Sequence, residues 1–365
     1  FHFVPTKKFK TMTFVAKLKA PLDRKDVTKR ALLPFVLEKG TETYPSEQAL
    51  QRRLDELYGA KLFVATTKKG PNHIIHFQLD IANDKFISGA NITEEALKLL
   101  NEVMFSPHLK DGLFDAQLVE REKRLLENKI HAIYDSKLAY ANQRLIDEMF
   151  KNEPFSIHKD GYVDDLEEIT PSNLTAYYYK VMVEDRIDFY VLGDFTPEEM
   201  EEQLTAIFKR KDSKEEAKAF TPTMEKTVRE PKRIVEQDAI QQAKLHIGYR
   251  TNVSYADETY SALQVFNGLF GAFPNSKLFL NVREKHSLAY YISSQVESHA
   301  SFLVVLSGVD STEEKKAFDI IEEQRQSLRE GNFTETEVKN VQDLITNNIR
   351  ETLDSPSGTI ELLYQ

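Results

Sequence analysis

An order of predicted elements that occurs twice, on either side of one charged stretch, constrains the fold of this chain more than any other feature. Residues 209–233 read KRKDSKEEAKAFTPTMEKTVREPKR, dense in charge, poor in apolar side chains and interrupted by two prolines. A segment of that composition cannot bury itself. It is expected to be an interdomain linker that divides the 365 residues into domains at 1–208 and 234–365. Before the linker, the pattern predicts a strand over Met12 to Lys19 and an apolar helix over Ala31 to Glu38. A second helix follows over Ser46 to Tyr58, with Leu50, Leu54 and Leu57 at helical spacing. Two strands, Ala60 to Thr67 and Ile74 to Ile81, are joined by a Lys-Lys-Gly-Pro-Asn turn, and helices are expected over Thr93 to Phe105 and Asp115 to Tyr134. After the linker comes the same order. A strand over Lys244 to Arg250 is followed by helices over Thr259 to Leu269 and Asn275 to Lys285, then strands over Leu288 to Val296 and Phe302 to Val309. Helices then begin at Ser311 and Thr334, with Glu314 and Glu337 at the spacing of a capping box.

The first part continues with a helix over Leu138 to Phe150, another after Thr170-Pro171, a strand over Ile187 to Gly193 and a helix capped by Thr196-Pro197. The second part reaches Gln365 before counterparts of these, so its domain is expected to be clipped at the C-terminus or smaller. A start at Phe1 rather than Met likewise implies that a few residues are missing. The fold class that follows is α+β: two structurally repeated domains, each a mainly antiparallel sheet with helices on one face, joined by a charged linker.

Composition narrows the function classes. Lys and Arg number 48 against 58 Asp and Glu, a net charge of −10, so no broad basic surface is available to a phosphate backbone and nucleic acid is not an expected partner. Hydrophobic residues make up 41%, enough for real cores. The absence of cysteine excludes disulfides, thiolate zinc sites and cysteine nucleophiles, and fits a reducing, cytoplasmic setting. The longest apolar run, Ala31 to Leu37, is broken by Pro34 and falls far short of the ~20 residues of a membrane span. No secretory signal opens the chain.

Histidine is the natural place to look for a metal site, and there are nine. His73 and His76 form an H-x-x-H pair on a predicted strand, where residues three apart point to opposite faces and cannot share one ion. His131 lies in a helix without a second His at the next turn. The sequence contains no H-E-x-x-H, H-x-x-E-H, phosphate-binding loop or G-x-S-x-G elbow. Two segments remain. Leu37-Glu38-Lys39-Gly40-Thr41-Glu42-Thr43-Tyr44-Pro45 reads as a helix ending at Gly. Residues 275–291, NSKLFLNVREKHSLAYY, run from an amphipathic helix carrying Arg283 into a strand containing Tyr290.

Residues 31–45 and 275–291 resemble two motifs of the pitrilysin/insulinase family of zinc peptidases, the inverted-motif group that includes mitochondrial processing peptidase. These are H-F-L-E-H-M-L-F-K-G-T and S-R-L-F-x-x-[LIV]-R-E-K-x-G-L-A-Y. The repeated α+β layout is similar to that family's paired domains, and the likeness is strongest to bacterial zinc-free members encoded beside a zinc-bearing relative. The resemblance implies that Ala31 and Phe35 stand where the two zinc-binding histidines would be, and Pro34 where the catalytic glutamate would be. A methyl, a pyrrolidine ring and a phenyl ring neither bind zinc nor move a proton, and a proline inside a helix also threatens its geometry. On a later helix, Glu122 matches the family's supporting acid, but Lys129 stands at the third ligand position. The family's substrate-holding Arg and Tyr, spaced R-x6-Y, fall on Arg283 and Tyr290. Taken alone, those residues would read as a helix-end ion pair and a half-buried strand tyrosine. Lys277 and Ser287 replace a family Arg and Gly.

The resemblance therefore implies a non-catalytic subunit, without a metal of its own, of a heterodimeric zinc metallopeptidase acting on peptides. A zinc-bearing partner of the same family would supply the metal, and Arg283 and Tyr290 would hold substrate. The alternative is a structural or peptide-binding relative with no role in proteolysis. A third reading, a stand-alone peptidase, requires zinc ligands that the sequence does not contain.

Overall fold

The structure, a computed structural model, describes residues 1–87, 91–209 and 230–365; most of the expected linker, 210–229, lies outside the described residues. In chain order the elements are β1 (His2–Pro5), β2 (Thr11–Pro21), α1 (Val27–Leu37), α2 (Glu47–Glu56), β3 (Lys61–Lys69), β4 (Asn72–Ala82) and α3 (Ile92–Phe105). Then come α4 (Ala116–Asp135), α5 (Lys137–Met149), the single turn α6 (Val163–Leu166), α7 (Pro171–Glu184), β5 (Arg186–Gly193) and α8 (Pro197–Ile207). The rest comprises β6 (Gln242–Arg250), α9 (Tyr260–Asn267), β7 (Ala289–Glu297), β8 (Phe302–Asp310), α10 (Glu314–Arg329), α11 (Glu335–Thr352) and α12 (Pro356–Leu363). Two π-helical turns, Gly268–Ala272 and Phe279–Lys285, lie between α9 and β7.

These elements form two compact units, and a single cut in the sequence does not separate them. Among the described residues the first unit comprises 1–132, 157–209 and 356–364, and the second comprises 133–156 and 230–355. The contiguous ranges 1–208 and 234–365 therefore need two exchanges. Residues 133–156, with α5, belong to the later unit, and α12 belongs to the earlier one.

The reason for the second exchange is the central strand of the first unit. Its five-stranded sheet has the order β1-β5-β2-β4-β3, antiparallel except for the β1–β5 pair. Strand β2 is paired on both sides, and Met12 to Leu18 is buried on both faces. On one face Phe14, Ala16 and Leu18 join the main core, which contains residues of α1, α3, α4 and α7. On the other face lies Lys17, buried in spite of its charge, and α12 meets it there. The Glu361 carboxylate pairs with the Lys17 ammonium and with Lys69 at 2.7 Å, while the Tyr364 ring sits 3.9 Å from the Lys17 nitrogen. Ile360 of α12 closes a small apolar cluster with Val15, Tyr190 and Leu192. A buried ammonium without a partner carries a large desolvation cost, which accounts for a helix that returns from the far end of the chain.

The second unit is a three-stranded antiparallel sheet, order β6-β8-β7. One face carries a core with residues of α9, α10, α11 and both π-helical turns. Residues 145–155 pack on the other. A Cβ added at Gly248 would collide with Met149, so glycine is what lets α5 approach β6. The Phe150 ring lies 5.1 Å from Phe302 and 4.8 Å from Phe155, edge to face, and Arg250 Nη2 donates to the Met149 carbonyl at 2.7 Å and to Glu153.

Helix starts follow local chemistry. Thr334 and Glu337 form the expected capping box, and Thr170 forms one with Asn173. Ser311 does not cap α10. The Asp310 carboxylate instead accepts from the Thr312 N–H at 2.8 Å and from its hydroxyl, and the helix begins later, at Glu314. The helix expected over Asn275 to Lys285 is π-helical from Phe279 onward.

Because Phe150 belongs to the second unit, Phe150→Ala is expected to destabilise that unit by about 3–5 kcal/mol. Hydrogen exchange followed strand by strand will show lost protection at β6 and β8 with β2 and β4 unchanged. Loss in β2 instead would contradict this assignment.

Candidate functional site

Helix α1 is fixed to the sheet by one charged side chain. Arg30 is buried, and its Nη2 donates to the Leu18 carbonyl at 2.7 Å and to Asp185 Oδ2 at 2.5 Å. Pro34 has no N–H to donate to the carbonyl of residue 30, yet α1 continues to Leu37 and Glu38 donates back to the Pro34 carbonyl at 3.3 Å. The expected disruption is thus confined to one missing hydrogen bond. Ala31 and Pro34 are buried, and Phe35 is half-buried. Helix α4 supplies Glu122 and Lys129. Glu122 is completely buried, and its Oε1 accepts from Arg121 Nε at 2.7 Å. Phe35 and Lys129 meet in space: the Lys129 ammonium lies 5.6 Å from the Phe35 ring centroid and pairs with Asp160 Oδ1 at 2.9 Å. At the end of α1, Glu38 Oε1 accepts the Val64 N–H of edge strand β3 at 2.6 Å.

A methyl, two carbon rings and an ammonium do not fit a zinc ion, which needs three or four N, O or S donors. Among the described residues no three His, Asp or Glu side chains are grouped to hold a metal. His73 and His76 add no ligand pair. His73 alternates with Ile75 and Phe77 on the core-facing side of β4, whereas His76 lies on the opposite face beside Gln78. Burial, reinforced by the Arg30 guanidinium, pushes the His73 imidazole down to about 3. Asp160 is the residue here that sequence reasoning missed. Its signal was the His158-Lys159-Asp160-Gly161 turn, where Gly161 takes φ +78 and packs so closely on Thr28 that a Cβ would not fit.

In the second unit, Arg283 stands on a π-helical turn and Tyr290 on a β-bulge. Arg283 lies in the π-helical turn Phe279–Lys285, whose Leu278 and Val282 anchor it in the core. The turn is closed by the Ser287 N–H to the Arg283 carbonyl and the Leu288 N–H to the Val282 carbonyl, both at 3.0 Å, with Ser287 at φ +52. The Ser287 to Arg283 bond is that of an αL-type end, in which the left-handed position suits glycine. Strand β7 follows at once and packs against the turn. Ala289 pairs with Val309 and Tyr291 with Gly308, so Tyr290 is the extra residue of a β-bulge. Bulges re-aim side chains, and Tyr290 is 66% exposed. The Arg283 guanidinium lies 4.8 Å over the Phe279 ring, and its side chain is 44% exposed. The unit thus presents a guanidinium and a phenol seven residues apart in sequence, both able to donate to a carbonyl oxygen. Lys277 is turned to other work, donating to Glu337 at the start of α11 at 2.7 Å.

Residues 168–345 match the family model described as the Peptidase M16 inactive domain. The chain is 42% identical over 365 residues, all of its length and 85% of the relative's, to the Bacillus subtilis (strain 168) protein named probable inactive metalloprotease YmfF. A second protein of that organism, named uncharacterized zinc protease YmxG, is 21% identical over 270 residues, 72% of this chain and 62% of that protein. Among solved structures, a conserved protein from Enterococcus faecalis V583 superposes with a TM-score of 0.88 at 33% identity, covering 99% of this chain and 85% of that one.

Two outcomes follow from this geometry. Ser287→Gly is expected to stabilise the second unit by about 0.5–1 kcal/mol, because a left-handed backbone strains any residue with a Cβ; denaturant midpoints at constant slope measure it. Folded His73 resists the proton that the unfolded chain accepts below its ordinary value of 6.5. The first unit therefore loses stability as pH falls from there toward 3, by about 2 kcal/mol between pH 7 and pH 5. His73→Leu removes that component, so variant and wild type with parallel pH profiles would contradict the buried neutral imidazole.

Proposed function

Because the chain belongs to the pitrilysin/insulinase-type (M16) peptidase family, as a homologue of its inactive members, we propose that it is the non-catalytic subunit of a heterodimeric zinc metallopeptidase acting on peptides. A zinc-bearing member of the same family supplies the metal, and this chain supplies Arg283 and Tyr290 to hold the substrate. The observation that carries this reading is the unequal condition of the two candidate sites. The first unit offers no metal donors at Ala31, Pro34, Phe35 and Lys129, whereas the second keeps Arg283 and Tyr290 exposed on a π-helical turn and a β-bulge. Irregular backbone of both kinds is favoured at functional sites, and neither side chain is consumed by the core. In the proposed role the guanidinium and phenol donate to a backbone carbonyl of the bound peptide and to the oxyanion that develops from it. Two relatives of this chain, one named inactive and one named a zinc protease, occur in the same organism, which supports a division of labour between paired proteins. The described helices include none long and apolar enough to cross a membrane.

The test is a complex co-purified with the zinc-bearing relative from the same organism, with wild-type chain, Arg283→Ala and Tyr290→Phe compared. Each substitution is expected to lower kcat/KM for peptide hydrolysis by about 10–100-fold and to leave assembly, measured by size-exclusion chromatography, unchanged. Equal turnover in all three complexes would overturn the assignment and leave a structural or peptide-binding role.

A further inference from the structure

We propose that Lys129 is a tethered cation standing where the family's metal would sit, so that the space beside Phe35, between α1, α4 and the turn at Asp160, is a binding site for a primary ammonium that the chain itself fills. The inference depends on where Lys129 and Phe35 lie, and is independent of the role given to Arg283 and Tyr290. Three groups define the site. Asp160 is buried and contacts the ammonium at 2.9 Å. The Phe35 ring presents its face at 5.6 Å, within the range of a cation–π contact. Its backbone cradle is rigid, because Gly161 packs against Thr28 with no room for a Cβ and Tyr162 N–H donates to Thr28 Oγ1 at 3.1 Å.

The electrostatic surroundings also require a cation. Burial alone would push the Asp160 carboxyl up; the Lys159 and Lys129 ammoniums more than reverse this and hold it below the usual carboxylate range. Lys159 is bound to Asp160 Oδ2 at 2.7 Å, and Lys129 faces Oδ1. Farther along the α4 face, Glu122 is completely buried, with Oε2 shielded from solvent and unbonded. On this side of the protein the carboxylates of Asp160 and Glu122 are met by the cations of Lys129, Lys159 and Arg121, and Lys129 is the one that also lies over the Phe35 ring. An ammonium is a better match than a dication here, since an aromatic face and one or two carboxylate oxygens can solvate a single charge but cannot complete a tetrahedral zinc shell.

Removing the tether should make the site receptive to a free amine. In the full-length chain, Lys129→Ala is expected to lower the thermal midpoint by about 2–4 °C. Methylammonium or propylammonium chloride should restore most of that shift, whereas tetramethylammonium or sodium chloride at the same ionic strength should not. Lys129→Ala/Asp160→Asn should show no rescue. If Lys129→Ala does not fold, Lys129→Arg and Lys129→Met separate charge from packing, with Arg expected at the wild-type midpoint and Met below it. An unchanged midpoint in Lys129→Ala, rescue by every salt alike, or equal midpoints for Arg and Met would each overturn the proposal.

Discussion

The first unit is organised around a strand that has no free side. β2 is paired on both edges and buried on both faces, and one of its buried residues is a lysine. Such a strand folds only if the exposed face of its sheet is covered and the ammonium is compensated. Glu361 and Tyr364 do the second, and Ile360 begins the first. The requirement reaches across most of the chain, and it explains why a helix numbered after the second unit packs in the earlier one. The β6–β8 pair raises the same problem with an apolar solution, in which Phe150, Phe155 and Phe302 interlock over a glycine-thinned strand.

The irregular turn and bulge of the second unit express a related economy of position. Leu278 and Val282 must enter the core while Arg283 leaves it. The segment is π-helical from Phe279, and Ser287 accepts a left-handed backbone to end it. The bulge then lets Ala289 and Tyr291 face opposite sides of the sheet with Tyr290 projecting between them. Both features cost stability relative to regular structure.

Where α1 meets α4, the contacts are made by side chains that offer no metal donor. Ala31 lies in the main hydrophobic core and Pro34 is buried beside it, and Phe35 is the aromatic partner of Lys129. One side is core packing, and the other is an ion pair between the buried Asp160 and a Lys129 side chain that is 43% exposed.

Much of the architecture was legible in the sequence because it is local. Alternation in β2 and β4, the apolar run of β8, helical spacing at Leu50 and Leu54, and the Thr334–Glu337 cap each depend on residues within a few positions of one another. The motif around Arg283 was legible for the same reason, since eight residues include both Arg283 and Tyr290. Contacts distant in sequence were not. Nothing near Lys17 announces Glu361, nothing near Phe302 announces Phe150, and Asp160 lies in a turn with no periodic signal. β1 and α12 escaped notice because four and eight residues are too few to show a period. The sequence by itself determined most element types, the duplicated α+β plan and the absence of a histidine zinc-binding motif, because side-chain chemistry and short-range periodicity settle those. Only the tertiary structure decided which helix covers which sheet and which groups pair with Lys17, Arg30 and Asp160, because a buried charge takes whatever partner the folded chain brings within reach.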